Sequence, residues 1–393
     1  MYISLTLIII LSISLYLIFE KLKFPGLLAF ILTGIILGPF VLDLIDERIL
    51  NLSAELRKIA LVVILIRAGL SLNISDLKEM GTPAILLSFL PALFEILIIG
   101  LISPLLFDLT YLEGFILGSV IAAVSPAVIV PKMIKYIDKH KKNDTLVARI
   151  VLGSASVDDV IVIVIFTTLI QFYQNQNEII KDMFFIPISI ISGIILGIIS
   201  GLFLVYIFKK ILLRDTYKVM VIFAIAFFFI FLEDLIPISG LLSIMSLGII
   251  IMSFYPVLAN RLAPKLSKIW AISEIILFVL IGAAVDIFLF QTIGLWTILL
   301  LVISLSARTI GVLISISKSR FKFKEKMFIS VSFIPKATVQ AAIGAIPLTL
   351  GMPGGEIILA ISVVSILTTA PIGAFLIDHV GKTLFNHTIN VQS

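Results

Sequence analysis

The sequence has no cysteine in 393 residues, which excludes disulfides and thiolate metal centres and leaves the compartment open. Histidine is nearly as scarce. His140, His379 and His387 all fall in polar loops or the tail, so a histidine-based metal centre is not expected. Charge is short too: 13% of residues are Asp, Glu, Lys or Arg, against about a quarter in a soluble domain. The net formal charge of +5 is no nucleic-acid footprint, because the basic residues are spread between apolar runs.

What the sequence has instead is apolar length. Hydrophobic residues make up 60%, in runs that match the roughly 20 helical residues needed to cross a hydrocarbon layer. This is the composition of an all-α polytopic integral membrane protein. Thirteen spans are expected, near 3–19, 25–41, 59–73, 82–103, 112–133, 146–172, 184–208, 217–233, 238–257, 270–288, 294–316, 327–350 and 356–377. The loops alternate in basic residues: with Lys132, Arg149 and Lys218 at span ends counted in the loops they adjoin, 22 lie on one side and 4 on the other, and Arg67, Arg308 and Lys336 are inside spans. By the positive-inside rule the C-terminus is cytoplasmic and, with an odd count, the N-terminus is outside. "KYIDKHKKND" and "KSRFKFKEK" are the most basic cytoplasmic loops, and topology alone accounts for them. The first run, "ISLTLIIILSISLYLIF", is a full span with no basic region before it, so no cleavable signal is expected. After the last expected span only residues 378–393 follow, so no soluble regulatory domain is expected.

Two spans carry proline and polar residues where a continuous helix would be apolar. "SVIAAVSPAVIVPKM" sets Pro126 and Pro131 beside Ser125. "SFIPKATVQAAIGAIPL" sets Pro335 and Pro347 around Lys336, Thr338, Gln340 and Gly344. Proline removes a backbone donor and clashes with the preceding turn, so carbonyls are freed where no water can satisfy them. Interrupted spans in both halves of a chain point to an inverted-repeat transporter, whose half-helix ends meet near the midplane. Two ordinary proline kinks are the plainer alternative.

The stretch "GSASVDDVIVIVIF" puts Asp158 and Asp159 near the middle of the sixth span. A charge at the bilayer centre costs about 3 kcal/mol on insertion scales. Adjacent residues diverge by about 100° around a helix, so the two carboxylates cannot share one proton. One is expected to face an aqueous cavity and the other a cationic partner. The first could hold either a proton or a small hard cation, with Ser125, Ser154 and freed backbone carbonyls as further oxygen ligands. The other charges expected within spans are Arg67, Glu95, Arg308 and Lys336. A buried charge left unpaired is strongly destabilising. Glu95 is therefore expected to pair with Arg308, and Lys336 to lie near the facing ends of the broken helices. Structural ion pairs without transport chemistry are the competing explanation for Glu95 and Arg67.

"LIRAGLSLN", "AAVSPAVIVPKM", "GSASVDDVIVI" and "PKATVQAAIG" occur in this order. Together they resemble the NHA branch of the monovalent cation/proton antiporters, over nearly the whole chain. The resemblance implies an NhaA-like fold of about thirteen transmembrane helices in two inverted repeats, with crossed discontinuous helices. It implies an ion-transporting core, near 59–172 and 270–377, that moves like an elevator. A dimerisation or scaffold part near 1–41 and 184–257 would form a homodimer. It also implies exchange of Na⁺ or Li⁺ for H⁺, with Asp159 as the central ion and proton ligand and Asp158 beside it. Arg308 falls where relatives place a lysine or arginine. An arginine does not release its proton, which argues against a cycle in which that residue deprotonates.

The expectation is a secondary transporter, not an enzyme, in a prokaryotic cell membrane. Na⁺ (or Li⁺) and H⁺ compete for one site at Asp158 and Asp159, and Pro126, Pro131, Pro335 and Thr338 mark the broken helices. No cofactor is expected; the partners are the ions, the bilayer and a second copy of the chain. A K⁺/H⁺ exchanger of the same superfamily is the nearest alternative. A cation channel would need weak, multi-site binding along an open path. An intramembrane aspartyl protease would need its aspartates on different helices facing one water, and here they are sequence neighbours.

Overall fold

The computed structural model describes residues 1–22, 24–72, 81–139, 146–174, 179–233 and 235–385. His140, His387 and most of "KHKKND" lie outside them. In chain order the helices are α1 (Tyr2–Lys21), α2 (Leu27–Leu37), α3 (Glu47–Asn51), α4 (Ser53–Ser71), α5 (Thr82–Leu87) and α6 (Leu90–Phe107). Next come α7 (Tyr111–Ala122), α8 (Pro126–Lys139), α9 (Leu146–Gln174), α10 (Ile179–Lys210), α11 (Asp215–Glu233) and α12 (Gly240–Phe254). The last are α13 (Pro256–Ala284), α14 (Leu289–Ser315), α15 (Phe323–Ser332), α16 (Thr338–Ile343), α17 (Ile346–Thr349) and α18 (Gly355–Phe385). Among the described residues, nine helical segments are long and apolar enough to cross a membrane, and three apolar segments are shorter.

The chain forms two compact units. The first comprises Met1–Glu55, Met80–Val162 and Ile275–Ser393. In it, α1 buries Ser4, Ile8 and Ser12, one stripe at a spacing of four, and Tyr16 stacks on Phe30 of α2 at 6.0 Å. Most other faces of α1 are apolar and exposed, as befits a helix in lipid. The backbone of α2 touches that of α13: a Cβ on Gly34 or Gly282 would strike Val279 O or Ile31 O. Lipid is as apolar as leucine, so close approach of small residues is a main source of packing between membrane helices. A capping box starts α7, with Thr110 N and Oγ1 donating to Glu113 Oε2 at 2.9 and 2.8 Å. The other Glu113 oxygen accepts from Gly354 N at 2.8 Å, which ties the start of α7 to the turn before α18.

The second unit comprises Leu56–Glu79 and Ile163–Glu274. Its framework is α10 against α12. Gly193, Gly197 and Gly201 repeat every fourth residue along α10, so they line one face. A Cβ on Gly193 would sit 2.6 Å from Ser239 O, and one on Gly201 2.8 Å from Ile250 Cβ. Ser239 N donates to Ser189 O at 2.9 Å on the same seam. The division by packing groups 1–55 with 80–162 and 275–393. By role, 1–41 is expected to group with 184–257; the contact of α2 with α13 accounts for the grouping by packing.

Candidate functional site

The first unit contains both helix interruptions. α7 ends at Ala122, Ala123 is extended (φ −63°, ψ 143°), and α8 starts at Pro126. The cause is local. The residue before a proline is driven out of the α region, whereas proline itself suits the first helical turn, where no N–H is needed. Pro131 lies inside α8, which continues to Lys139. The interruption is therefore 123–125, and Pro131 is no part of it, because its missing N–H removes only one bond from a helix already under way. The second interruption is 334–337 around Pro335, before α16 starts at Thr338. Pro347 opens the short helix α17.

The two interruptions hold each other. Ser125 N donates to Pro335 O at 2.9 Å. The Gln340 amide donates to Ile121 O at 3.0 Å and Ala123 O at 2.6 Å, and its Oε1 accepts from Ala337 N at 2.8 Å. One side chain thus satisfies backbone groups on both sides. The carbonyls expected to stand free as ion ligands are largely engaged here: Ile121 and Ala123 by Gln340, and Ala122 by the cations described next.

Five charged side chains, each at most 4% exposed, belong to this part of the unit: Glu95, Asp158, Asp159, Arg308 and Lys336. Arg308 Nη1 donates to Glu95 Oε2 at 2.6 Å, and also to Ala122 O. Its Nη2 donates to Asp158 Oδ2 at 3.0 Å. Lys336 Nζ donates to the same Glu95 oxygen at 2.7 Å and to Ala122 O at 3.4 Å, while Lys336 N donates to Thr369 Oγ1 at 3.0 Å. Both cations therefore sit at the C-terminus of α7, where the helix dipole favours positive charge. Breaking a buried pair by removing one partner costs about 3–5 kcal/mol, so none of these links is incidental to stability.

The two aspartates differ in what they hold. Asp158 Oδ2 accepts from Arg308 and, at 3.1 Å, from Val124 N in the first interruption. Asp159, about 100° further around α9, has no ion pair among the described residues, and its Oδ1 is buried without a hydrogen-bond partner. Asp158 Oδ1, Ser125 Oγ and Thr338 Oγ1 are buried and without a partner too. Buried polar atoms in native proteins nearly always have a partner, so this group calls for one. Carboxylate and hydroxyl oxygens suit a hard cation. Ser154 lies four residues before Asp158, on the same face of α9. Its hydroxyl donates to Ile150 O at 2.6 Å, which leaves oxygen lone pairs still able to accept.

Three residues here escaped the sequence reading as site or network residues. Gln340 and Thr369 act through backbone hydrogen bonds. The signal for Gln340 is an amide with two donors and an acceptor inside apolar "TVQAAIGA", where each needs a partner. Glu274, in "AISEIILF", lies in the second unit, where its charge interacts with that of Arg67. A carboxylate inside a long apolar run was the available signal.

A family model described as sodium/hydrogen exchanger, transmembrane, matches residues 7–382. Sodium/hydrogen exchanger 9B2 of Mus musculus is 30% identical over 379 residues, which cover 91% of this chain and 68% of that protein. The Homo sapiens protein of the same name is 30% identical over 376 residues, covering 92% and 70%. Among solved structures, the sodium proton antiporter MjNhaP1 from Methanocaldococcus jannaschii at pH 8 shares the fold. Its TM-score is 0.79 at 21% identity, over 97% of this chain and 96% of that one. With a match that runs almost from end to end, the chain belongs to the transmembrane sodium/hydrogen exchanger family.

Proposed function

We propose that this protein exchanges Na⁺ or Li⁺ for H⁺ by competition at Asp159. The observation that carries the reading is the buried charge count. Among the described residues, the cations buried with Glu95, Asp158 and Asp159 in this part of the unit are Arg308 and Lys336, so the fully ionised cluster is one negative charge in excess. Glu95 and Asp158 are committed to the cations; Asp159 is the carboxylate left over. One proton or one monovalent cation neutralises it, and the two exclude each other because both take the same oxygens. Linkage then makes each lower the apparent affinity for the other. Ser125, Thr338 and Ser154 supply the neutral oxygens around the cation, and Asp158 shares in holding it.

Arg308 keeps its proton throughout, and Lys336 spends its ammonium on Glu95. The cycle therefore carries one proton for one cation. The site opens alternately to each side as the core moves, within a homodimer in which the thirteen spans of each protomer form two inverted repeats with the interrupted pair crossed. The basic-loop bias supports a cytoplasmic C-terminus.

The test uses proteoliposomes with an entrapped pH-sensitive dye and an imposed proton gradient. Na⁺ and Li⁺ are expected to collapse the gradient in wild type, and neither in Asp159→Asn. Normal exchange in that variant would end the proposal, and a response to K⁺ alone would move the protein to K⁺/H⁺ exchange.

A further inference from the structure

We propose that Thr369, on α18, is a positioning residue for exchange: its hydroxyl fixes the 334–337 interruption on the exchange cluster and so sets the affinity for the cation without touching it. This role rests on the exchange at Asp159 proposed above. The backbone N–H groups of the interruption have different holders. Pro335 has none to offer. Ile334 N donates to Val331 O at 3.3 Å, one turn back, and Ala337 N to Gln340 Oε1 at 2.8 Å, one turn ahead. Lys336 N instead crosses to another helix and donates to Thr369 Oγ1 at 3.0 Å. Thr369 is 3% exposed, and its hydroxyl donates in turn to Ser365 O at 2.7 Å. The oxygen that receives Lys336 N is therefore aimed by α18 itself.

A second contact on the same helix bears on the same segment. Gly373 lies one turn beyond Thr369 on that face of α18. A Cβ there would come within 2.5 Å of Pro335 Cγ and 3.1 Å of Pro335 N. Further along, α18 meets α8, the half-helix that follows the first interruption. Tyr136 OH donates to Ile377 O at 3.3 Å, and Lys132 Nζ pairs with Asp378 Oδ2 at 2.6 Å. One continuous helix thus backs both interrupted elements, all within the first unit.

Lys336 is where this anchor joins the charges. Its backbone N is held by Thr369 and its Nζ by Glu95 at 2.7 Å. The residue before it, Pro335, accepts from Ser125 N at 2.9 Å, and Thr338 stands two residues after it. Ser125 and Thr338 are neutral oxygens assigned above to the cation, whereas Asp159 belongs to α9. A shift of the segment therefore misplaces the neutral oxygens and leaves the carboxylate where it is. A hard cation is held by several oxygens together, and a proton by one. Thr369 accordingly bears on the cation more than on the proton that competes with it.

Thr369→Val and Thr369→Ser should be compared with wild type in the proteoliposome assay, with Tm in detergent followed alongside. Valine leaves Lys336 N buried without its acceptor; serine keeps a hydroxyl that bonds back to the preceding turn. At alkaline pH, where protons compete least, KM for Na⁺ is expected to rise about fivefold in Thr369→Val, the equivalent of one hydrogen bond. In Thr369→Ser it should stay within about twofold of wild type. Should Thr369→Val not fold, Gly373→Ala, which presses on Pro335 from the same face, is expected to raise KM in the same way. A lower maximal rate or Tm with KM unchanged would make Thr369 merely structural and overturn its positioning role, with exchange at Asp159 left standing. A KM in Thr369→Ser as high as in Thr369→Val would overturn it too. Wild type without Na⁺- or Li⁺-coupled proton movement would end the exchange reading and this role with it.

Discussion

Replacing Glu95 by Gln removes the carboxylate that two cations share, and replacing Arg308 by Gln removes the cation that two carboxylates share. Glu95 Oε2 accepts from Arg308 at 2.6 Å and from Lys336 at 2.7 Å. In Glu95→Gln, Lys336 keeps only Ala122 O at 3.4 Å; in Arg308→Gln, Asp158 keeps only Val124 N at 3.1 Å. Each change strands a buried charge, and each should cost about 3–5 kcal/mol. Together they remove one charge of each sign, so the double variant has the same net charge as wild type. Its loss should therefore fall short of the sum by about 2 kcal/mol, within the range for directly coupled residues. Thermal unfolding in detergent of the four proteins reads this as a double-variant Tm about 2 °C above the additive value. Additivity to within about 0.5 kcal/mol would refute the shared-charge reasoning.

Other consequences follow from single contacts. Gln340→Ala leaves Ile121 O, Ala123 O and Ala337 N without their side-chain partner; at about 1 kcal/mol or more for each bond, it should lower Tm and slow exchange, and an unchanged Tm would count against the amide as the link between interruptions. If Lys336 keeps its proton, the rate of Na⁺/H⁺ exchange in proteoliposomes should not respond to an imposed membrane potential; acceleration by one sign of potential would mean that a second proton is carried. Gly197→Leu would drive a side chain into Ser243 O and Leu247 N on α12, so the protein should be destabilised by about 3 kcal/mol, visible as lost monodispersity on gel filtration.

The apolar runs were legible because lipid allows few ways to satisfy a backbone, so a run of sufficient length and a helix nearly coincide. The interruption at Ser125–Pro126 was legible for a similar reason: the restriction on a residue before proline is local. Glu95 with Arg308 followed from the cost of leaving either alone, although they are 213 positions apart. What local rules could not place was the second layer. Lys336 sharing the same Glu95 oxygen depends on how α6 and the 334–337 interruption meet, and no periodicity encodes that. Gln340 looked like one polar residue among several, because its value lies in carbonyls from another helix. Pro131 was expected to break its span, yet sequence alone does not say that a proline inside an established helix bends it without ending it.

The competition at Asp159 is tested most directly by counting protons. Na⁺ should be added to purified protein in weakly buffered detergent solution, and released protons measured alongside bound Na⁺ across the near-neutral pH range. At the acidic end of the range over which the site titrates, wild type should release one proton for each Na⁺ bound, and Asp159→Asn should release none. Binding of Na⁺ to wild type with no proton released at any pH, or release that persists in Asp159→Asn, would contradict the account.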